Sequence, residues 1–230
     1  MDIILASGSP RRRELLARTK LNFSLLSVDI DETQQHNELP KDYIERMVAT
    51  KAKAAIQELN TAIKIGEEHF AEQLIILTSD TIGVLPDGQT VLVKPIDRNH
   101  AYSMWQQMSD NVHEVWTAVQ ATSVSLLPAL SNAPDKVSNY QVIHQKQITE
   151  RTEVSFIPLT VDMMSEYWNS GEPADKAGGY GIQGLGAAWV SRINGSYTNV
   201  VGLPLAQTLA LIKEMRGMNI ASVKPSKMDN

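Results

Sequence analysis

The chain has 230 residues, 43% of them hydrophobic, and a formal net charge of −5 at pH 7. A chain of that length buries roughly 70% of its unfolded surface, so one compact domain is expected; the negative balance disfavours non-specific nucleic-acid binding as the main task. The absence of cysteine excludes a disulfide framework, a thiolate zinc site and a cysteine nucleophile, and with no apolar run near the roughly 18 residues of a membrane span the expectation is a cytoplasmic protein without nucleic-acid or membrane partners.

Ile3-Ile4-Leu5-Ala6 reads as a buried strand that breaks into Ser7-Gly8-Ser9-Pro10-Arg11-Arg12-Arg13-Glu14. Gly8 permits a tight turn, Ser9 can cap a helix, and Pro10 suits the first helical position, where no backbone donor is lost. Free N–H groups, the positive end of the helix dipole, two hydroxyls and two or three guanidiniums then converge on one point. Arginines at that end oppose the dipole, so their placement points to a bound polyphosphate; solvated surface arginines are the other reading. A second strand, Phe23 to Val28, leads into the acidic run Asp29-Ile30-Asp31-Glu32. Carboxylates crowd there either beside a divalent cation or guanidinium, or as a solvated loop.

Pro40 to Leu59 reads as a long helix carrying Lys51. Leu74-Ile75-Ile76-Leu77 is a buried strand run ending in Thr78-Ser79-Asp80-Thr81, followed by a hairpin from Ile82 through Pro86-Asp87-Gly88-Gln89 to Val93. Asp80 is thus expected at a strand's C-terminal end, where open α/β sheets gather ligand groups. A carboxylate there can hold Mg²⁺, take a proton from an attacking water, or merely cap a turn. Lys94, before Pro95, adds a point charge suited to phosphate. Ala101 to Met108 reads as helix, Val112 to Val124 as strand, and Leu159 to Asn169 as a helix closed by Gly171. The stretch 127–150 is expected to be an extended loop or insertion and 223–230 a disordered tail, leaving a single domain over 1–222. His113 reads as a structural or surface histidine. Between Gly171 and Gly184, glycines allow close backbone approach to a flat ring, and the Gln183 amide offers the donor and acceptor that a pyrimidine edge requires. A tight connection with Asp175 and Lys176 paired locally is the other reading. Alternating strands and helices give an α/β architecture with a mixed sheet.

In this order the motifs resemble the Maf family of nucleotide pyrophosphatases. The resemblance runs through Leu5-Ala6-Ser7-Gly8-Ser9-Pro10-Arg11-Arg12, Asp31-Glu32-Thr33, Arg46 with Lys51-Ala52, Ser79-Asp80-Thr81, Lys94-Pro95, His113-Glu114-Val115, Gly171-Glu172-Pro173-Ala174-Asp175-Lys176-Ala177-Gly178, Gly181-Ile182-Gln183-Gly184 and Val201-Gly202-Leu203-Pro204. It implies a Maf/inosine-triphosphatase-like fold, with an elongated mixed sheet, flanking helices and two lobes around a deep cleft. It also implies hydrolysis of a nucleoside triphosphate between the α and β phosphates, with Mg²⁺ or Mn²⁺. On that basis Asp80 is the expected proton acceptor, Ser7, Arg11, Arg12, Lys51 and Lys94 hold phosphates, and Glu32 joins Asp80 at the metal or assists the water. Asp175 and Lys176 belong to the substrate side by the same carry-over, and Arg11, Thr81 and Gln183 match the branch resembling dTTP/UTP pyrophosphatases. Four positions depart from the usual family pattern: Thr78-Ser79 in place of Gly-Ala, Val93 in place of Gly before Lys94, and Asp110 in place of Gly. A homodimer is left open. A non-catalytic nucleotide-sensing or partner-binding role in division control is the competing class. Retained Asp80, Glu32 and Lys51 argue against it, since a carboxylate beside a polyphosphate repels it unless a cation intervenes.

Overall fold

A computed structural model describes residues 1–65, 71–127 and 138–221. Strand β1 (Asp2–Ala6) is buried on both faces from Ile3 onward. With side chains alternating along a strand, Ile3 and Leu5 meet Leu15 and Leu16 of helix α1 (Pro10–Ala17) and Leu211, Ile212 and Met215 of the C-terminal helix α6 (Leu205–Ala221). Ile4 and Ala6 face the other way, onto Ala55 and Leu59 of the long helix α2 (Pro40–Ile65). The unbroken apolar run is therefore the mark of a strand sandwiched between helical layers.

The remaining elements are β2 (Ser24–Leu26), β3 (Gln73–Val84), β4 (Val91–Leu92), α3 (Arg98–Met108), β5 (Val112–Leu127), β6 (Asn139–Phe156), α4 (Val161–Asn169), β7 (Val190–Asn194) and α5 (Tyr197–Val201), with short 3₁₀ turns between α4 and β7. The sheet runs β2-β1-β3-β5-β6-β7, with β4 alongside β3. β1 pairs in parallel with β2 and β3, and the other pairs are antiparallel, so the sheet is mixed and flanked by helices, as expected. A second core gathers Trp105 of α3, Tyr167 of α4, Phe156 and Trp189 in edge-on ring contacts, with the Trp105–Trp189 centroids 5.0 Å apart. Among the described residues no helix is long and apolar enough to cross a membrane.

Two expectations about local structure are corrected. β3 does not end at Asp80: it pairs without interruption with β5, from Gln73 opposite Ser125 to Val84 opposite Glu114, and only Gly83 and Val84 pair with β4. What ends is β1, whose last partner on β3 is Leu77. Asp80 thus lies mid-strand, on the stretch of β3 that β1 leaves uncovered. The stretch 127–150, expected to be a loop, is largely strand: β6 pairs with β5 from Asn139 opposite Leu127 onward, with one irregularity at Ser123/Val124. Its polar composition reflects a partly exposed strand beside β5. Residues 128–137 and the tail at 223–230 lie outside the described residues.

Asp110, in the turn between α3 and β5, has φ 52°, in the left-handed region that favours glycine. Asp110→Gly is therefore expected to be neutral or stabilising by up to about 1 kcal/mol; thermal unfolding measures it, and a clearly lower midpoint would contradict the strain reading.

Candidate active site

The first turn of α1 is built as its sequence dictates, with Ser9 as N-cap and Pro10 inside the first turn. Its cap turns Arg12 inward, where burial lowers the guanidinium's pKa against the opposing pull of Asp80. Arg12 donates from Nε to the Gly202 carbonyl at 2.9 Å, from Nη1 to Ser7 Oγ at 3.3 Å and from Nη2 to Thr81 Oγ1 at 3.0 Å. Thr117 Oγ1 spends its proton on the Asn199 carbonyl at 3.0 Å, so Thr81 donates to Thr117 across their 3.0 Å contact. The donor chain Arg12, Thr81, Thr117, Asn199 thus ties α1, β3, β5 and α5 together beneath the cleft. Gly202, at φ 125°, presents its carbonyl to Arg12 in a conformation closed to other residues.

Asp80 and Glu32 meet on a single ammonium. Lys51 Nζ lies 2.6 Å from Asp80 Oδ1 and 2.8 Å from Glu32 Oε1, with the lysine side chain 10% exposed. Thr78, where the family resemblance leads to glycine, donates its hydroxyl to the Val48 carbonyl at 2.9 Å and so fastens β3 to α2 one turn before Lys51. Ser79 donates to the Gly202 carbonyl at 3.4 Å. The Glu32 loop is held from below: Tyr43 donates to the Glu32 carbonyl at 2.8 Å, while Arg46 reaches the Thr33 carbonyl at 3.0 Å and grips Glu38. Burial opposes charge on Glu32, yet its hydrogen bond from Lys51 and the charges of Lys51, Lys94 and Arg12 hold the carboxyl below its ordinary range. The Tyr43 phenol is pushed up to about 12 by burial and by Asp80 and Glu32.

Arg12, Glu32, Lys51, Asp80 and Thr81 line a cleft of about 770 Å³ between the two cores, with Val201 on one wall and Leu92, Val115 and Tyr180 on the other. The cleft brings together Arg11, Arg12, Glu32, Lys51, Asp80, Thr81, Lys94, Lys176 and Gln183, all expected from the sequence. Ser7 stands behind Arg12, in a smaller recess with Ser9 and Ser27, and acts on the cleft through the guanidinium. The side chain of Asp175 lies outside the described residues. Sequence reasoning missed Thr117 and Asn199, whose roles arise from partners far along the chain, and Tyr43, which acts through a backbone carbonyl. Glu172 also lines the cleft; its place in a glycine-rich motif was the available signal. His113 is structural: buried beside Tyr180 at 2.7 Å, its pKa falls to about 4 through desolvation, so it stays neutral near pH 7.

Among the described residues no cluster of three or more His, Cys, Asp or Glu side chains has metal-holding geometry. Two carboxylates already converging on one cation nevertheless fit Mg²⁺-type binding, in which one or two protein carboxylates leave the other positions to water and phosphate oxygens. Five cations facing carboxylates in a cleft suit a polyanion that arrives with a divalent ion. Arg12→Lys keeps the charge but cannot reach three partners in one plane. It should lower stability by roughly 1–3 kcal/mol, read from denaturant unfolding; an unchanged midpoint would reduce Arg12 to a point charge.

Residues 2–215 match the family model described as Maf-like protein. The chain is 70% identical over 220 residues to the dTTP/UTP pyrophosphatase of Psychrobacter arcticus, spanning 94% of this chain and 95% of that one. It is 39% identical over 212 residues to the dTTP/UTP pyrophosphatase of Hahella chejuensis, spanning 92% and 91%. With a match over nearly its whole length and the motif residues gathered in one cleft, the chain belongs to the Maf-like protein family.

Proposed function

We propose that the protein is a nucleoside triphosphate pyrophosphatase that hydrolyses dTTP, UTP and related pyrimidine nucleotides to the monophosphate and pyrophosphate. The observation that carries this reading is the Lys51-bridged pair of Asp80 and Glu32 in a cationic cleft, in a chain 70% identical to a dTTP/UTP pyrophosphatase. Arg11, Arg12 and Lys94 bind the phosphate oxygens and offset the charge that builds on them in the transition state. Asp80 accepts a proton from the water that attacks the α-phosphorus. The new P–O bond forms as the α-phosphorus–bridging-oxygen bond breaks, and pyrophosphate leaves with that bond's electrons. Lys51 orients the Asp80 carboxylate toward the water and keeps Glu32 beside it. Asp80 and Glu32 are the residues that would hold Mg²⁺ or Mn²⁺, which supplies further charge neutralisation at the phosphate oxygens. Gln183, across the cleft, meets the pyrimidine edge with its amide, and Lys176 and Asp175 flank that side. The chemistry belongs to the cytoplasmic nucleotide pool, and neither a nucleic acid nor a membrane is required as partner.

The test is a panel of UTP, dTTP, dUTP, CTP, GTP and 7-methyl-GTP with Mg²⁺ or Mn²⁺, with products resolved and pyrophosphate assayed separately. Monophosphate plus pyrophosphate from the uridine and thymidine nucleotides is expected; orthophosphate, or binding without turnover, would overturn the reading. Asp80→Asn should lower kcat by at least about a hundredfold, the range of a lost general base, while nucleotide binding persists.

The pH dependence follows from Glu32. Its folded-state pKa is depressed below the ordinary 4.5, so its charged form is present above that value and is lost only as pH falls further. With His113 held neutral by a pKa near 4, no histidine limb is expected in kcat, which reports the enzyme–substrate complex, and loss of the Glu32 charge enters only below about pH 4.5. A limb of kcat centred near 6.5 would assign an essential proton to a histidine instead.

A further inference from the structure

Gln183 is exposed in the cleft, at the tip of a loop rich in glycine, so the position of its amide is set by the backbone beneath it. That backbone is held at both ends by two side chains outside the phosphate site. At one end the Gly181 N–H donates to Tyr167 Oη at 3.1 Å. Tyr167 in turn donates to Glu172 Oε1 at 2.7 Å. At the other end Glu172 Oε2 accepts from the Leu185 N–H at 2.8 Å, and Oε1 accepts from the Gly186 N–H at 3.4 Å. Inside the loop, the Gly184 N–H closes onto the Gly181 carbonyl at 3.1 Å.

The glycines are fitted to this arrangement. A Cβ at Gly184 would run into both Glu172 carboxylate oxygens, and one at Gly186 would lie 2.8 Å from Tyr167 Oη. The loop therefore rests directly on the two side chains, with no layer between. Tyr167 is itself immobilised, 5% exposed and packed on Trp189 at a centroid distance of 4.5 Å and on Trp105 at 5.5 Å. Burial works against charge on Glu172, but the Leu185 N–H, the Tyr167 hydroxyl and the Gly186 N–H hold its carboxyl below the ordinary range, so it is an ionised acceptor at neutral pH. Charge-assisted bonds to backbone N–H groups are the stronger kind. The rigidity of the aromatic core is thereby passed to the loop tip.

We propose that Glu172 and Tyr167 are the positioning residues of nucleobase selection: they clamp residues 181–186 so that Gln183 presents its amide at a fixed height on the cleft wall, without themselves reading the base. The inference rests on the reading of Gln183 as the base-contacting residue. A pre-set amide discriminates bases because a mismatched edge leaves a buried polar group unpaired, whereas a mobile one reorganises around the wrong edge. The clamp touches no phosphate-binding side chain, so base selection and phosphate binding are separable.

The experiment is a double-mutant cycle on the full-length protein, reading kcat/KM for UTP relative to CTP and GTP. Inhibition by inorganic tripolyphosphate, which has no base, is read alongside. Gln183→Ala should lower the selectivity on the order of ten- to a hundredfold. Glu172→Gln, which sets an amide donor against a backbone N–H or disturbs the tyrosine contact, should lower it about three- to tenfold, as should Tyr167→Phe. In the Gln183→Ala background neither change should lower it further. The tripolyphosphate inhibition constant should stay within about twofold throughout. Selectivity preserved in Glu172→Gln and Tyr167→Phe but lost in Gln183→Ala would overturn the clamp and leave the Gln183 reading standing. An equal fall for all nucleotides together with weaker tripolyphosphate inhibition would reduce the pair to general scaffolding, also overturning it. Unchanged selectivity in Gln183→Ala would remove the base reading and the clamp with it. Tyr167→Phe preserves the ring in the aromatic core, so the test survives a poorly folding Glu172 variant.

Discussion

The Lys51 ammonium between Asp80 and Glu32 is the contact on which the site depends. It joins side chains from three segments at one point: helix α2, the uncovered stretch of β3, and the acidic loop after β2. Two carboxylates this close would repel without a cation between them, and each shares part of its charge with the lysine. The lysine must therefore be held rigidly, and the surroundings do so. Ile44 and Val48 pack α2 onto β3 and β5 through Ile82, Val84 and Trp116, and the buried Thr78 hydroxyl ties the same strand to the Val48 carbonyl. The departure from Gly-Ala at Thr78-Ser79 thus adds two hydrogen bonds to the scaffold and takes no charged group from the cleft.

Under the proposed function, with phosphates at one end and the base at the other, the two ends of the cleft are built on different physics. At the phosphate end, specificity is for charge, which tolerates small displacements, and the groups are long cations projecting from α1, α2 and the segment after β4. Arg12 is anchored by the Gly202 carbonyl and the Ser7 and Thr81 hydroxyls, and Lys51 by the Asp80 and Glu32 carboxylates. At the base end, the demand is for a hydrogen-bonding edge at a fixed height, which falls off steeply with distance. There the chain gives up regular structure for short 3₁₀ turns and glycines and fixes them from behind with Glu172 and Tyr167.

Much of the phosphate end is legible in the sequence because it is local. A strand, a capped helix start and adjacent arginines are contiguous, and the burial of Ile3 to Ala6 follows from the apolar run itself. The mixed sheet and flanking helices are legible for the same reason, through periodicity. The misread elements share another cause. Asp80 looks terminal because the apolar run stops there, yet β3 continues, since its hydrogen bonds are satisfied by β5 whatever the side chains are. β6 looks like a loop because its pairing partner β5 supplies the order that its composition does not advertise. The relay through Thr81, Thr117 and Asn199 is invisible for the plainest reason: each hydroxyl is ordinary, and only the fold makes them neighbours.

Under the proposed function, the cleft also accounts for how a chain of net charge −5 takes up a polyanion. The five cations on its walls face the carboxylates of Glu14, Glu32, Asp80 and Glu172, so the cleft is close to balanced and exerts no strong field at a distance. Discrimination therefore arises at contact. Arg12 is buried with its charge disfavoured by desolvation and by neighbouring Arg11; that costs the empty protein stability, and a bound phosphate offsets it. Stability withheld from the empty cleft becomes binding energy selective for a ligand that supplies the missing negative charge, and with it ligand-dependent stabilisation of the whole fold. Under the proposed reaction the nucleoside monophosphate brings less of that charge than the triphosphate, so the arrangement that favours substrate holds the nucleotide product less tightly.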